Sequence, residues 1–243
     1  MPTFTSFSNI LPDPANPITD AGDISAAGTP GPGFSALGFQ SVTDTQVSRT
    51  QSGRGIQRDG GSQHWEFTIS YNPMFRSQFD PIDTFLLGRN PRRDPFYVIL
   101  PQYSKPKTAA FAASNIVCTV AGATKSGADT LMMSMSAAPP NGVSLRPGDM
   151  FTIADPNDFN HQKVYKVSAV ETNAYYQAGS VQPTTRQSRI HFSPPLVRNT
   201  ADGSVINYMN PKFRVITKSD VQEHSLNTDN LYSFSLAVEE IQP

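Results

Sequence analysis

The side chains able to do chemistry are few in this chain, and they are scattered. Its four histidines fall at 64, 161, 191 and 224 with no H-E-x-x-H or other ligand spacing among them. Cys118 is the one cysteine, which excludes an intramolecular disulfide and a cysteine-built zinc site. Inside the apolar run Ile116–Val120 it reads as a small buried hydrophobe, not a reactive thiol. No glycine-rich phosphate loop precedes a helix, and no G-x-S-x-G elbow is present. Asp155-Pro-Asn-Asp158, with Asn160, groups oxygen donors of the kind calcium takes. Phe159, however, stands where an EF-hand loop needs a donor, and no glycine or glutamate follows in register, so the segment reads as an Asx turn. Paired carboxylates for glycoside hydrolysis are assembled in space, and nothing in the spacing points to them. The expectation is a protein that is not an enzyme and that carries no cofactor or metal.

Positive charge, by contrast, is grouped. Arg49, Arg54 and Arg58 lie among the glycines of a turn-rich stretch, and Arg89, Arg92 and Arg93 follow Gly88. A guanidinium is a planar fork suited to pairing with carboxylates. Neither cluster has interleaved aromatics for stacking bases, and the formal net charge of the chain is -1, so sequence-specific nucleic-acid binding is not expected. Two readings of the first cluster stand side by side: a solvated loop, or a projecting finger that grips an acidic surface on a partner. The candidate interface residues are these six arginines together with Phe4 and Phe7 near the N-terminus.

The elements that must position them begin with Trp65–Tyr71. Trp65, Phe67, Ile69 and Tyr71 alternate with Glu66, Thr68 and Ser70, the period of a strand with one face in a core. Phe39–Ser48 reads as its hairpin partner, with the turn at Arg54–Ser62. Phe75, Phe79, Ile82, Phe85 and Leu86 recur at helical spacing. Asp80-Pro81 suits a cap and first helical position, so a regular helix is predicted over Pro81–Leu87, stopped by Gly88. A second strand follows at Phe96–Leu100.

Composition sets the frame for the rest. Hydrophobic residues make up 37%, and 21 prolines with 16 glycines favour many short strands joined by turns over long helices. No apolar run approaches the ~20 residues of a membrane helix, and the N-terminus lacks the order of a signal peptide. Residues 1–37 form a proline-rich arm in which Phe4, Phe7, Ile10 and Leu11 are more apolar than a linker requires. It either docks on a neighbouring subunit or lies over its own domain. Ile116–Ala121, Thr130–Ser136, Met150–Ile153, Val164–Val170 and Ile190–Ser193 are strand candidates of a second module over residues 114–210, a small barrel or sandwich. Phe213–Ile216 and the alternating Leu231–Glu239 return to the texture of Trp65–Tyr71. The expected fold is thus mainly β: a barrel or sandwich from residues 38–113 plus 211–243, one short flanking helix, and an inserted small β module.

The order S-R-T-Q-S-G-R-G-I-Q-R-D-G-G-S-Q-H-W-E-F-T-I-S-Y-N-P-M-F-R-S-Q-F-D-P-I-D-T-F-L-L-G resembles a pattern that recurs in virion structural proteins of tailed bacteriophages. In these, a basic hairpin, a tryptophan strand, a P-M-x-R step and a short helix ending in F-L precede an aromatic strand. R-P-G-D-M-F-T-I, V-Y-K-V, I-H-F-S-P-P-L and a closing strand ending V-E-E extend the likeness. The proline-rich arm before Phe34 lies outside it. The resemblance implies a tail-tube, distal-tail or baseplate-hub-like protein, built on a β-barrel flanked by a helix and assembled as a ring, with a hexamer as one such ring. It implies a structural part of the tail tip or baseplate that joins the tail tube to distal parts. Its partners would be copies of itself and other tail or baseplate proteins, in a virion assembled in the host cytoplasm. A head-to-tail adaptor or completion protein is one alternative. Another is a host-carbohydrate-binding module, the insert carrying the site through exposed aromatics such as Tyr175 and Tyr176.

Overall fold

Trp65, Phe67, Ile69 and Tyr71 are buried and Thr68 is exposed, so the alternation in the sequence is a burial pattern in the fold. The structure is a computed structural model, and it describes residues 9–242 apart from 20, 89, 220–223 and 228, with backbone alone at 59–61. In chain order the strands and helices begin with β1 (Phe34–Arg49), β2 (Gly55–Tyr71), α1 (Arg76–Leu87), β3 (Phe96–Ile99) and α2 (Ala109–Ala112). Next come β4 (Cys118–Val120), β5 (Thr130–Met135), β6 (Met150–Ala154), β7 (Val164–Glu171), β8 (Gln187–Ser193) and β9 (Val205–Asn207). The chain closes with β10 (Lys212–Thr217), β11 (His224–Leu226) and β12 (Tyr232–Glu240). The fold is mainly β, with two short helices, and it divides into two units: residues up to Val98 with Arg214–Ile241, and Ile99–Phe213.

The first unit is built on a sheet in the order β1-β2-β12-β10-β3, with β11 added on β12. β12 pairs antiparallel with β2, setting Leu236 opposite Ile69 and Val238 opposite Phe67, so residues far apart in sequence share one apolar face. α1 buries Phe79, Ile82, Phe85 and Leu86. Phe79 stacks on Tyr232 at 4.8 Å, and Phe85 meets Phe96 edge-on at 5.8 Å. The helix is longer than its sequence signals. It starts at Arg76, so Asp80 and Pro81 lie inside it instead of capping it. Proline costs a helix the bond its own N–H would make, and here packing of the apolar stripe outweighs that single loss. Gln78 Oε1 accepts a bond from the Phe75 N–H at 3.4 Å, and Asp80 pairs with Arg76 at 3.5 Å. Phe75, assigned to the buried stripe by spacing, precedes the helix and is 64% exposed.

One end of this sheet is covered by the chain's own N-terminal arm. The Leu11 N–H donates to the Tyr97 carbonyl at 2.8 Å, and the Tyr97 N–H donates to the Asn9 carbonyl at 2.6 Å. Leu11 is buried. Asn9–Leu11 therefore lies on β3 of its own chain, while Phe4 and Phe7 fall outside the described residues. β1 is the terminal strand at the other end.

The second unit is a closed six-stranded barrel in the order β4-β5-β8-β7-β6-β9, antiparallel at every pairing. Alternation fills it: Leu131, Met133 and Met135 of β5 point inward with Phe151, Tyr165 and Phe192. Cys118 is buried in the same core, and burial pushes its thiol up to about 12, which leaves it inert at neutral pH. Because neighbours are antiparallel, the loops 121–129, 155–163 and 194–204 gather at one end of the barrel. The loops 136–149 and 172–186 gather at the other, where the chain also enters and leaves. There the Tyr208 hydroxyl donates to the Ile116 carbonyl at 2.6 Å, and the Phe111 and Tyr208 rings lie 4.8 Å apart.

Candidate functional site

Beyond the sheet, β1 and β2 continue as a ribbon of two strands. Thr43–Arg49 and Gly55–Arg58 are exposed at every position, so neither face of the ribbon is covered. The pairing runs to Arg49 opposite Gly55, with one register shift between Thr43 and Thr45. The tip is shorter and lies earlier in the chain than the expected Arg54–Ser62 turn. The Thr50 N–H donates to the Arg54 carbonyl at 3.0 Å, the Arg54 N–H donates to Thr50 Oγ1 at 3.1 Å, and Gly53 takes φ +81°. That left-handed backbone favours glycine. Residues 55–62 are strand: 55–59 pair with Thr45–Arg49 along the ladder and 60–62 span the register shift, although the ribbon has no core to impose an alternation.

The register distributes the side chains of the ribbon evenly. Directly opposed residues share a face, so Arg58 lies with Ile56 and Ser48 on one face, and Arg49 with Val47 and Gln57 on the other. Val47 is 61% and Ile56 55% exposed. Each face thus carries one bare aliphatic side chain and one guanidinium, with Arg54 at the tip. Among the described residues no carboxylate pairs with Arg49, Arg54 or Arg58.

The other predicted interface residues do not join this group. Arg92 and Arg93 stand exposed in the turn before β3, and Arg93 is paired with its neighbour Asp94 at 2.9 Å. That hydrogen bond and the carboxylate's charge raise the Arg93 pKa. Arg89, Phe4 and Phe7 lie outside the described residues.

The four histidines are held by neighbours. His64 Nε2 lies 3.3 Å from Glu66 Oε1, and the Lys218 ammonium donates to Glu66 Oε2 at 2.7 Å. The Lys218 bond, then the one to His64, holds the Glu66 carboxyl below its usual range despite desolvation. Glu239 offers a further oxygen within 4.8 Å of these groups, but a lysine ammonium already supplies the positive charge there. His191 Nε2 lies 2.9 Å from Glu171 Oε1, and Arg189 donates to Glu171 Oε2 at 3.0 Å. The bond from His191 lowers the Glu171 pKa most. His161 is buried, with Nε2 2.8 Å from the Tyr165 hydroxyl, and burial holds its pKa below the ordinary value. His224 packs its ring against Phe79 and Tyr232.

At the barrel end formed by loops 121–129, 155–163 and 194–204 lies a cleft of about 470 Å³. Asp155 makes the Asx turn expected of it: Oδ1 accepts from the Asn157 N–H at 2.8 Å. Its Oδ2 accepts from the Ala201 N–H, also at 2.8 Å, which ties two of the loops together. Sequence reasoning missed this cleft because its residues come from segments some forty positions apart, united only by closure of the barrel. Tyr175 and Tyr176, the expected sugar-stacking pair, sit in loop 172–186 at the opposite end. Among the described residues no helix is long and apolar enough to cross a membrane. No protein-family model matches the chain, and no curated protein matches it.

Proposed function

We propose that this chain is a ring-forming structural component of a bacteriophage tail tip or baseplate, working through its subunit interfaces. The observation that carries the reading is the β1–β2 ribbon. A free two-stranded hairpin is marginal in water, yet here one extends from the sheet with Val47 and Ile56 bare on opposite faces. A ribbon with an aliphatic side chain and an arginine on each face is suited to lie between two neighbours. β1 supports the same reading. It is a terminal strand of sixteen residues without lysine or proline, guarded against edge pairing only by two register shifts and the charges of Asp44 and Arg49. Since the arm covers β3 at the other end, the sheet is open to extension on one side, and head-to-tail contacts that close give rings. The resemblance of residues 48–88 to phage virion proteins supplies the particle.

Native mass spectrometry of the purified chain, with electron microscopy of assembled particles, tests this. The expected outcome is a closed oligomer that is lost in a V47D/I56D variant whose monomer remains folded. A wild-type chain that stays monomeric at every concentration, and is absent from particles, would overturn it.

A further inference from the structure

We propose that the three-loop end of the barrel binds a neutral saccharide. This goes beyond the ring reading and does not depend on it. Barrel mouths are frequent ligand sites because closure brings several loops to one place, and these loops are fastened to one another. Thr124 and Thr200 exchange backbone bonds of 3.0 and 2.8 Å, and the Ser126 N–H donates to Asn199 Oδ1 at 2.9 Å. Arg198 reaches Asp158 at 3.3 Å, and the Val197 N–H donates to the Tyr165 hydroxyl at 3.2 Å. A cleft held this way loses little freedom when a ligand arrives.

The lining selects the class of ligand. Both Asp155 oxygens are engaged by backbone N–H groups, and the carboxylate of Asp158 faces the guanidinium of Arg198. A bare cation would meet that guanidinium, and a bare anion would meet two carboxylates. What remains for a ligand is a mixed set of neutral donors and acceptors: the Asn157 amide, the Ser126 hydroxyl and the Asn199 Nδ2. Sugar hydroxyls, which both donate and accept, match such a set. Loop 155–163 also carries Phe159, 82% exposed and next in sequence to Asp158, which lines the cleft. Phe159 is not part of the lining itself, but a bare aromatic ring on the loop that supplies Asp155, Asn157 and Asp158 offers a surface on which the C–H face of a pyranose packs.

Saturation-transfer NMR on the full chain, with D-glucose, D-galactose and N-acetyl-D-glucosamine as separate probes, tests the assignment. The expected result is saturable binding of at least one sugar, weakened about tenfold by N157A or by F159A and unchanged by Y175A. Asn157 and Phe159 are exposed, so both variants keep the fold. The proposal is overturned if no sugar binds saturably, if N157A and F159A bind as the wild type does, or if the cleft takes calcium or inorganic phosphate in place of sugar. A chain that stays monomeric and still binds sugar through Asn157 and Phe159 defeats the ring reading and supports this one.

Discussion

In β5 of the barrel, Leu131, Met133 and Met135 are buried while Met132 and Ser134 between them are half-covered. Along Thr43–Arg49 of the ribbon every side chain is bare. Both regions are antiparallel pairs, the ribbon interrupted only by the register shift between Thr43 and Thr45, so hydrogen bonding does not distinguish them. Closure does. Each barrel strand has a neighbour on both sides and an inward face, whereas the ribbon has two strands, two outer edges and no inside. The ribbon is held from its base, where Phe39 stacks on Trp65 at 4.9 Å and the register continues from the sheet. A strand pair can therefore be shaped by the fold and still be left for another molecule to cover.

The comparison can be broken first where it predicts the largest loss. Phe151 is fully buried against Tyr165 and Phe192, each ring centroid 5.6 Å away. F151A should cost ~3–5 kcal/mol in urea unfolding. A cost below ~1 kcal/mol would mean that the barrel is not close-packed. Glu171 comes next, since it holds His191, Arg189 and the Ser180 hydroxyl near loop 172–186. E171Q should lower stability by on the order of 1–2 kcal/mol and speed hydrogen exchange in that loop ahead of the rest of the barrel.

A pH titration separates the two units more finely. Burial, against the pull of Asp158 and Asp155, holds the folded pKa of His161 below 6.5. The unfolded chain then takes up a proton that the folded barrel refuses. The stabilisation is complete above pH 6.5 and is lost as pH falls through the lowered folded value. Glu66 in the sheet is also lowered, from 4.5, and its contribution begins to fade only below that value. Hydrogen exchange followed during acidification should show the barrel loosening before the sheet, and H161N should remove the early phase. The smallest effect belongs to the ribbon. R54A/R58A should leave monomer stability within ~0.5 kcal/mol while weakening assembly, read by native mass spectrometry.

What the sequence disclosed follows the same division. In the longer strands with an inside the period could be read: Trp65–Tyr71, Leu131–Met135 and Tyr232–Val238 carry their burial in their spelling. β9 and β11, three residues each, are too short to show a period. In the ribbon no period exists, because neither face meets a core, so glycines and arginines within Gly55–Ser62 looked like a turn. Pro81 misplaced the start of α1 because local propensity yielded to tertiary packing. The arginines of the ribbon were legible as a cluster, but their division between two faces required the register. The cleft was legible only as an Asx turn, since Asn199 and Ala201 reach it through closure of the barrel.

The bond from Tyr208 to Ile116 has a further meaning. It fastens the segment just before β4 to the segment just after β9, so that the barrel is a loop tied off at its neck. A tied-off loop makes a cassette: a host sheet would meet one pair of chain ends, whatever lies between them. The core of such a cassette can be exchanged, lengthened or decorated without a new set of joints.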